Sequence, residues 1–457
     1  MNNLTLSFIA NATNAELIAD DANRVCEGVN TDSRKIAKGE LFVALSGANV
    51  DGHHYIEEAE AKGAAAVMVD RKVNTRLPIL LVSNTLEALG KLAKAYREQF
   101  QLPIIALTGS CGKTTVKEMI ASILMMRGPT LFTQGNLNTE VGVPLTLLRL
   151  LPEHQAAVIE MGARKKNDIA YLMEITSPAV TLITNAGVAH LEIFGSERGI
   201  AEAKGEIFSR LSESGIAVVN RDDIHAEYWQ SLLNKDQKVI TFGLHPEAKI
   251  TATDITIESQ FSQFKLLTDI GTEVIRLSAP GKHNILNALS AAATARALDF
   301  DLEMIKQGLE RFMPVTGRLQ LKTGLGGCSI IDDTYNANPI SVRAALSVLA
   351  MRPGEKIFIM GDMFELGPEA ILLHRQIGIE AKALGINQLY GVGTMTEAAV
   401  QGFGDQATHY PDKASLINAI KNTLNPNTTV LIKGSRGMRM EEIVTALTTQ
   451  SQEKASC

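Results

Sequence analysis

Short apolar runs rich in β-branched residues recur along the chain, and helical patterns separate them. Runs of this kind predict parallel strands that are covered on both faces. The stretch 85–100 shows the helical spacing of apolar residues that predicts an amphipathic helix. Strands alternating with helices are typical of a doubly wound α/β fold. The predicted parallel strands are 104–108, 157–161, 180–185, 215–220, 329–332, 356–361, 388–392 and 429–434.

The pattern changes along the chain and predicts three domains. Residues 1–84 mix short strands with a short helix and predict a small α/β N-terminal domain. Residues 85–314 predict a central, P-loop-type domain with a doubly wound, mostly parallel sheet, and 250–277 alternates with the period of an antiparallel patch. Residues 315–457 predict a Rossmann-like α/β C-terminal domain, and 313–318 is the predicted hinge before it.

Composition narrows the class of protein. A chain of 457 residues is too long for one hydrophobic core. The formal net charge of -6 argues against general nucleic-acid binding. No apolar run reaches the roughly 18 residues of a membrane span, and the N-terminus lacks a signal-peptide pattern. The four cysteines are scattered without metal-ligand spacing, which predicts reduced thiols and a cytoplasmic protein.

A glycine-rich turn, Gly109-Ser-Cys-Gly-Lys-Thr-Thr115, follows the strand at 104–108 and precedes a helical pattern that starts near Val116. Backbone N–H groups in such a turn point at phosphates, so it predicts a nucleoside triphosphate site. Lys113 can reach the terminal phosphates and the Thr114 hydroxyl can hold Mg²⁺. A standard P-loop has its first glycine where Leu107 stands. An ordinary strand-to-helix turn is therefore the alternative.

Polar residues at the ends of other predicted strands add candidate metal ligands. Glu160 closes one strand, Asn185 closes another, and His190 follows five residues later. A carboxylate and an imidazole can complete a Mg²⁺ shell, although oxygen is the more usual ligand. Taken alone, Glu160 is more often a solvated carboxylate at a strand end, and His190 is more often a structural or surface histidine. Lys204 lies in a helical pattern, where a lysine by itself reads as a solvated charge.

The order and spacing of these motifs resemble the Mur ligases, the ATP-dependent amino-acid ligases of peptidoglycan precursor synthesis. The motifs are Thr108-Gly-x-x-Gly-Lys-Thr-Thr, Gly135-Asn-x-Asn, Glu160, Asn185-x4-His190, Lys204, His283-Asn284-x-x-Asn287 and Asp332-Asp-Thr-Tyr-Asn-Ala-Asn-Pro339. The resemblance covers essentially the full length. Further segments favour the branch of the family that adds a dipeptide; they are Thr31-Asp-Ser-Arg34, Leu41-Phe-Val-Ala-Leu, Asp51-Gly-His, Gly361-Asp-Met-Phe-Glu-Leu-Gly367 and Lys433-Gly-Ser-Arg436.

The resemblance implies an ATP site, two Mg²⁺ ions and a modified lysine. Lys204 would carry a carbamate formed with CO₂, which replaces a cation by an anion that can bind Mg²⁺. The implied catalytic residues are Lys113, Lys204, His190 and Arg318. The implied metal ligands are Thr114, Glu160, His190 and the Lys204 carbamate. The implied ATP contacts are Gly109, Ser110, Cys111, Gly112, Lys113, Thr114, Thr115, Asn287, Arg318, Asp333, Tyr335 and Asn336.

The resemblance also implies the substrates, UDP-N-acetylmuramoyl-tripeptide and D-alanyl-D-alanine, joined through an acyl phosphate by a monomeric enzyme. Ser33 and Arg34 would meet the UDP end, where an arginine suits a diphosphate. The remaining implied substrate contacts are Asn136, Asn138, Asp362, Phe364, Glu365, Leu366, Lys433, Ser435 and Arg436. The sister ligase that adds a diamino acid uses an Asp-Asn-Pro-Arg motif, which this chain lacks.

Other functions remain open at this point. A diamino-acid-adding ligase or a folylpolyglutamate-type ligase would share the ATP chemistry with a different amine. A GTPase switch would need an Asn-Lys-x-Asp motif, and the chain has none. A small-molecule kinase would release a phosphorylated acceptor in place of inorganic phosphate.

Overall fold

The computed structural model describes residues 4–47, 50–187 and 191–448 of the chain. Its N-terminal part is a five-stranded sheet in the order β2-β7-β6-β5-β4, parallel except for β2. A two-stranded ribbon, β1-β3, lies beside it. The elements are β1 (Leu4–Thr5), α1 (Leu6–Thr13), β2 (Glu16–Ile18), β3 (Val25–Cys26), β4 (Gly28–Asn30), β5 (Glu40–Val43), α2 (Ile56–Ala61), β6 (Ala66–Val69) and β7 (Ile79–Leu81).

The middle of the chain forms a six-stranded parallel sheet in the order β13-β12-β11-β8-β10-β9 and a three-stranded antiparallel sheet, β14-β15-β16. The elements are α3 (Thr85–Arg97), β8 (Ile104–Thr108), α4 (Lys113–Leu124), β9 (Thr130–Phe132), α5 (Gly142–Leu147), β10 (Ala156–Glu160), α6 (Asp168–Thr176), β11 (Val180–Ile183), α7 (Leu191–Phe194), α8 (Glu197–Ser209), β12 (Ile216–Asn220), α9 (Ala226–Ser231), β13 (Lys238–Phe242), β14 (Thr251–Ile257), β15 (Ser262–Thr268), β16 (Gly271–Leu277), α10 (Lys282–Ala297) and α11 (Leu302–Arg311).

The last part is a second six-stranded sheet in the order β17-β18-β22-β19-β20-β21, parallel except for the edge strand β17. The elements are β17 (Gln320–Thr323), β18 (Ser329–Asp333), α12 (Pro339–Ala350), β19 (Glu355–Gly361), α13 (Ala370–Ala383), β20 (Gln388–Val392), α14 (Thr396–Phe403), β21 (Ala407–Tyr410), α15 (Lys413–Ile420), β22 (Thr428–Lys433) and α16 (Glu441–Leu447).

Each sheet is covered by helices, which explains the apolar runs in the sequence. One face of the central sheet packs on α4, α10, α11 and the antiparallel sheet. The other face joins a core that reaches through α3 and α1 into the N-terminal sheet. The C-terminal sheet has separate cores on its two faces. The three-domain α/β architecture predicted from the sequence is confirmed.

The predicted strands are present, and the structure adds edge strands. The strands β9, β13, β17 and β21 lie at or beside sheet edges, where a strand needs less apolar burial and its sequence signal is weaker. The helix expected near Val116 begins earlier, at Lys113, because Gly112 turns the chain with φ of 79° directly into the helix. Within the described ranges, no helix has the length and apolar character needed to cross a membrane.

Candidate active site

The glycine-rich turn lies at the carboxyl end of β8, where α4 begins. Gly112 is the N-cap of α4, and no side chain caps the helix. The first N–H groups of a helix have no acceptor within it, so this end of α4 presents donors and the positive end of the helix dipole. A Cβ atom on Gly109 would lie 1.9 Å from the Thr184 hydroxyl oxygen. Glycine is therefore required for the close approach of β8 and β11.

Asn185 binds the first half of the same turn. The Ser110 amide donates to the Asn185 carbonyl oxygen at 2.9 Å, and the Cys111 amide donates to Asn185 Oδ1 at 2.9 Å. The Ser110 hydroxyl exchanges hydrogen bonds with both the carbonyl and the amide of Gly187. The amides of Ser110 and Cys111 are thus already paired with Asn185. The unpaired backbone donors therefore come from the first turn of α4. The role of Ser110 and Cys111 in binding ATP stays a prediction.

Glu160 ends β10 and is 2% exposed. Its Oε2 accepts from the Thr114 hydroxyl at 3.0 Å, and its Oε1 accepts from Asn138 Nδ2 at 2.8 Å. The Glu160 amide donates to the Thr133 hydroxyl, which fixes the end of the strand. A carboxylate beside a hydroxyl is an oxygen donor set that suits Mg²⁺.

Two lysines lie in the same region, Lys113 half-buried and Lys204 buried. Lys113 donates to the Gly109 carbonyl oxygen at 2.7 Å, and burial lowers its pKa. Lys204 is 5% exposed on α8. Burial, and next the charge of Lys113, lower the pKa of Lys204 from 10.5 to about 7. A lysine amine with this pKa is partly neutral near pH 7 and is therefore a nucleophile.

The C-terminal domain contributes to the site through the 313–318 segment and β18. Arg318 Nη2 donates to the Thr114 hydroxyl at 2.9 Å, and its guanidinium lies 4.1 Å from the centre of the Tyr335 ring. Lys433 pairs with Asp333 and donates to the Asn336 carbonyl oxygen at 2.9 Å. The central and C-terminal domains therefore meet at one group of charged side chains.

An open cleft of about 530 Å³ lies between these two domains. The predicted site residues that line it are Gly109, Ser110, Cys111, Gly112, Lys113, Thr115, Asn138, Glu160, Lys204, Asn287, Arg318, Asp333, Tyr335, Asn336 and Lys433. Thr114 joins them through its bonds to Glu160 and Arg318. His190, a predicted catalytic residue and metal ligand, lies outside the described residues.

The cleft also contains residues that the sequence-based site left out. Asn338 contacts the glycine-rich turn, with its side-chain amide nitrogen 3.2 Å from Cys111 Sγ, while its side-chain oxygen caps α12. Asp223 accepts from the Ala186 amide, and burial raises its pKa. His283 precedes the Asn284-x-x-Asn287 motif, and burial lowers its pKa to about 4. Asn338 and His283 stand inside sequence motifs quoted above without a role of their own, whereas only the fold places Asp223 in the cleft.

Three family models match the chain, and together they cover most of it. They are the Mur ligase family catalytic domain at residues 25–97, the Mur ligase middle domain at 107–295 and the Mur ligase glutamate ligase domain at 317–436. UDP-N-acetylmuramoyl-tripeptide–D-alanyl-D-alanine ligase from Escherichia coli K12 is 43% identical over 462 aligned residues, covering 100% of both chains. The chain belongs to the Mur ligase family.

Solved structures of Mur ligases share this arrangement of domains. A crystal structure of MurF from Acinetobacter baumannii has a TM-score of 0.91 and 37% identity, covering 97% of this chain and 98% of that one. MurF from Thermotoga maritima in complex with ADP has a TM-score of 0.81 and 28% identity, covering 92% and 96%. The likeness therefore extends over the whole Mur ligase fold.

Several substrate residues predicted from the Mur ligase resemblance lie away from the residues that line the cleft. Ser33 is buried and donates to Glu58 at 2.7 Å, while Arg34 is exposed and pairs with Asp32 at 2.8 Å. Asn136 is exposed on the turn after β9. The roles of Ser33, Arg34 and Asn136 in substrate binding stay predictions.

The predicted dipeptide-binding residues form two segments at the carboxyl ends of β19 and β22. The Asp362 carboxylate accepts from the amides of Met395 and Thr396, so it holds the start of α14. Leu366 is buried, and the Glu365 carbonyl oxygen accepts from the amide of Glu192 in the central domain. Ser435 and Arg436 follow β22, and Arg436 pairs with Glu441.

The predicted metal site has an unusual composition for a protein cation site. In the described ranges, no cluster of three or more His, Cys, Asp or Glu side chains could hold a metal ion. The Thr114 hydroxyl and the Glu160 carboxylate are oxygen groups, 3.0 Å apart, that fit the ligand chemistry of such an ion. Lys204 can add oxygen ligands only if CO₂ reacts with its amine. The donor chemistry thus fits Mg²⁺ when phosphate oxygens and a carbamate complete the shell.

Proposed function

We propose that this ATP-using ligase joins D-alanyl-D-alanine to the terminal carboxylate of UDP-N-acetylmuramoyl-tripeptide. The products are the UDP-N-acetylmuramoyl-pentapeptide, ADP and phosphate. The relative from Escherichia coli, which carries that activity in its name, aligns over the full length of both chains. The observation that carries the proposal is the convergence of Lys113, Arg318 and the Glu160–Thr114 pair in one cleft between two domains.

The first chemical step joins two anions, and the cleft supplies the positive charge that this step needs. A carboxylate oxygen of the tripeptide attacks the γ-phosphorus of ATP, and ADP leaves. Lys113 and Arg318 would neutralise the charge on the phosphate oxygens as it redistributes in the transition state. Arg318 is oriented by the Tyr335 ring before the nucleotide arrives, which lowers the cost of its reorganisation.

The amine of D-alanyl-D-alanine then attacks the acyl carbon of the acyl phosphate. The tetrahedral intermediate loses phosphate and a proton, and the amide remains. Water would hydrolyse the acyl phosphate, so the reaction requires a closed cleft. The cleft between two domains that already contact each other through Cys111 and Asn338 suits this requirement.

Mg²⁺ would be held by Thr114, Glu160, His190 and the Lys204 carbamate, and would screen the phosphate charge. Thr114 and Glu160 are oriented for this by Asn138 and Thr133. The lowered pKa of Lys204 and its burial in the cleft support the carbamate, because CO₂ reacts only with a neutral amine.

Residues that, apart from Lys433, lie outside the cleft lining would hold the parts of the two substrates that extend beyond the cleft. We infer that Ser33 and Arg34 bind the UDP group, and that Asp362, Phe364, Glu365 and Leu366 with Lys433, Ser435 and Arg436 form the dipeptide pocket. Their positions in the N-terminal and C-terminal domains suit a substrate that spans the molecule. The domain limits at 84/85 and 314/315 remain part of this proposal, as does a cytoplasmic location.

The test is to identify the product by mass. The protein is incubated with ATP, Mg²⁺, the UDP-linked tripeptide and D-alanyl-D-alanine, and phosphate release is followed. We expect a product that weighs the sum of tripeptide and dipeptide substrates less one water. Lys113→Ala should abolish it, while Lys91→Ala, at an exposed lysine of α3, should not. Product formed instead with a diamino acid, or with a folate and glutamate, would overturn the proposal in favour of the sister ligases.

A further inference from the structure

His374 is a fully buried histidine on α13 that hydrogen-bonds at both ring nitrogens. Its Nδ1 lies 2.6 Å from the Ala370 carbonyl oxygen, one helical turn earlier. Its Nε2 accepts a hydrogen bond from the Met363 amide at 2.9 Å. A carbonyl can only accept and an amide N–H can only donate. The ring must therefore be neutral, with its proton on Nδ1.

Met363 lies in the segment 362–366, which follows β19. Each of three consecutive residues of this segment forms hydrogen bonds with a different partner. The Asp362 carboxylate binds the start of α14, the Met363 amide binds His374, and the Phe364 amide donates to the Ser435 hydroxyl at 2.8 Å. The last bond joins the segment 362–366 to the segment 433–436.

Burial keeps the His374 ring in the neutral state that these two hydrogen bonds require. The side chain has no exposed surface, and burial lowers its pKa, while the hydrogen bond to Ala370 and the charge of Asp362 act in the opposite direction. A buried aliphatic residue would fill the same space. It would leave the Met363 amide buried without an acceptor, which proteins rarely tolerate.

We propose that His374 is a positioning residue that fixes the segment 362–366 through the Met363 amide and so sets the affinity for the incoming dipeptide. This rests on the proposed function, because it takes that segment as part of the dipeptide pocket. His374 itself is buried behind the segment and does not touch the substrate. Its loss should therefore act on dipeptide binding, and less on the ATP end of the cleft.

Two amide variants separate the two ring nitrogens. In His374→Gln the side-chain oxygen reaches about as far as Nε2, so it can accept from Met363. In His374→Asn the shorter amide can replace only Nδ1 and its bond to Ala370. A control, Ile377→Ala, removes a fully buried side chain from the same helix that forms no hydrogen bond with the segment.

Initial rates are measured with varied D-alanyl-D-alanine and with varied ATP, beside the thermal midpoint of each variant. We expect His374→Asn to raise the KM for the dipeptide about tenfold, with kcat and the KM for ATP within about twofold of the parent. His374→Gln should stay within about threefold of the parent KM. Ile377→Ala should lower the thermal midpoint and leave the KM unchanged. Equal KM values for the Asn and Gln variants, or a KM that follows the thermal midpoint, would overturn the proposal.

Amide hydrogen exchange of the parent protein gives a readout that does not depend on a folded variant. We expect the Met363 amide to exchange slowly, and the segment 362–366 to slow further when the tripeptide, D-alanyl-D-alanine and a nonhydrolysable ATP analogue are added. A fast Met363 amide, or a segment that does not respond to the dipeptide, contradicts the proposal. If the parent makes no product from D-alanyl-D-alanine, the proposed function fails instead, and slow exchange at Met363 still supports the holding role.

Discussion

The Thr114 hydroxyl donates to the Glu160 carboxylate at 3.0 Å and accepts from Arg318 at 2.9 Å. One hydroxyl thus connects the helix that follows the glycine-rich turn, a neighbouring strand end and the C-terminal domain. The same oxygens are those that Mg²⁺ prefers. When metal and nucleotide bind, we expect Arg318 to exchange Thr114 for a phosphate oxygen.

Glu160→Gln should lower kcat by about 10² to 10³, the range typical of losing one preorganised electrostatic group. The amide retains the size of the side chain and loses its negative charge, so Mg²⁺ binding weakens. Phosphate release measured across a Mg²⁺ titration checks this. Glu174→Gln, at an exposed carboxylate of α6, is the matched control. A Glu160→Gln variant with parental activity at low Mg²⁺ would contradict the role in metal binding.

Lys204→Ala should lose activity, and small carboxylates such as formate or acetate should restore part of it. The added anion would occupy the place of the proposed carbamate. Product formation is measured with the carboxylate salts and, as a control, with chloride at the same ionic strength. If the variant is as active as the parent, the carbamate role is wrong.

The stability of Lys204→Met should depend on pH differently from that of the parent. The folded pKa of Lys204 is about 7 and its ordinary value is 10.5. Between these values the unfolded chain binds more protons than the folded one, so parental stability rises with pH. The advantage of Lys204→Met should be greatest below pH 7 and vanish above about 10.5. Denaturant unfolding at several pH values, in chelator and CO₂-free buffer, measures this; a pH-independent difference would contradict the lowered pKa.

Arg318→Lys should raise the KM for ATP by about tenfold or more, although the charge is retained. Lysine lacks the planar guanidinium group that stacks on Tyr335 while it donates a hydrogen bond to Thr114. Steady-state rates with varied ATP give the value. Arg343→Lys, which changes an arginine paired with Glu380 on the C-terminal domain, should behave as the parent. An unchanged KM for ATP in Arg318→Lys would show that the geometry of the guanidinium group does not contribute to ATP binding.

The C-terminal domain should close on the central domain about the hinge near Pro314 when all ligands bind. The predicted contacts are spread over three domains, and two bonds already cross the cleft, Arg318 to Thr114 and Asn338 to Cys111. Small-angle scattering should give a smaller radius of gyration for the fully liganded protein than for the free one. Identical profiles would count against closure.

Strong local patterns made the glycine-rich turn and the parallel strands predictable. The apolar run 104–108 and the glycines that follow it act over a few residues, so periodicity and turn chemistry reveal them. Lys204 was different. A lysine in a helix reads as solvated, and only the packing of α8 against the central sheet buries it near Lys113.

The sequence by itself determined which strands are buried on both faces, where the glycine-rich turn lies and which family the chain resembles, because these depend on residues close together in the chain. Tertiary structure alone decided three sets of hydrogen bonds. Asn185 accepts from the Ser110 and Cys111 amides, and Asn338 contacts Cys111 across the cleft. His374 accepts from the Met363 amide. The contacts of Asn185 and Asn338 join segments far apart in sequence and exist only once the sheets have brought their strand ends together. The contact of His374 joins a loop to the helix that follows it, and it exists only once that helix has packed against the loop. No local pattern encodes either kind of contact.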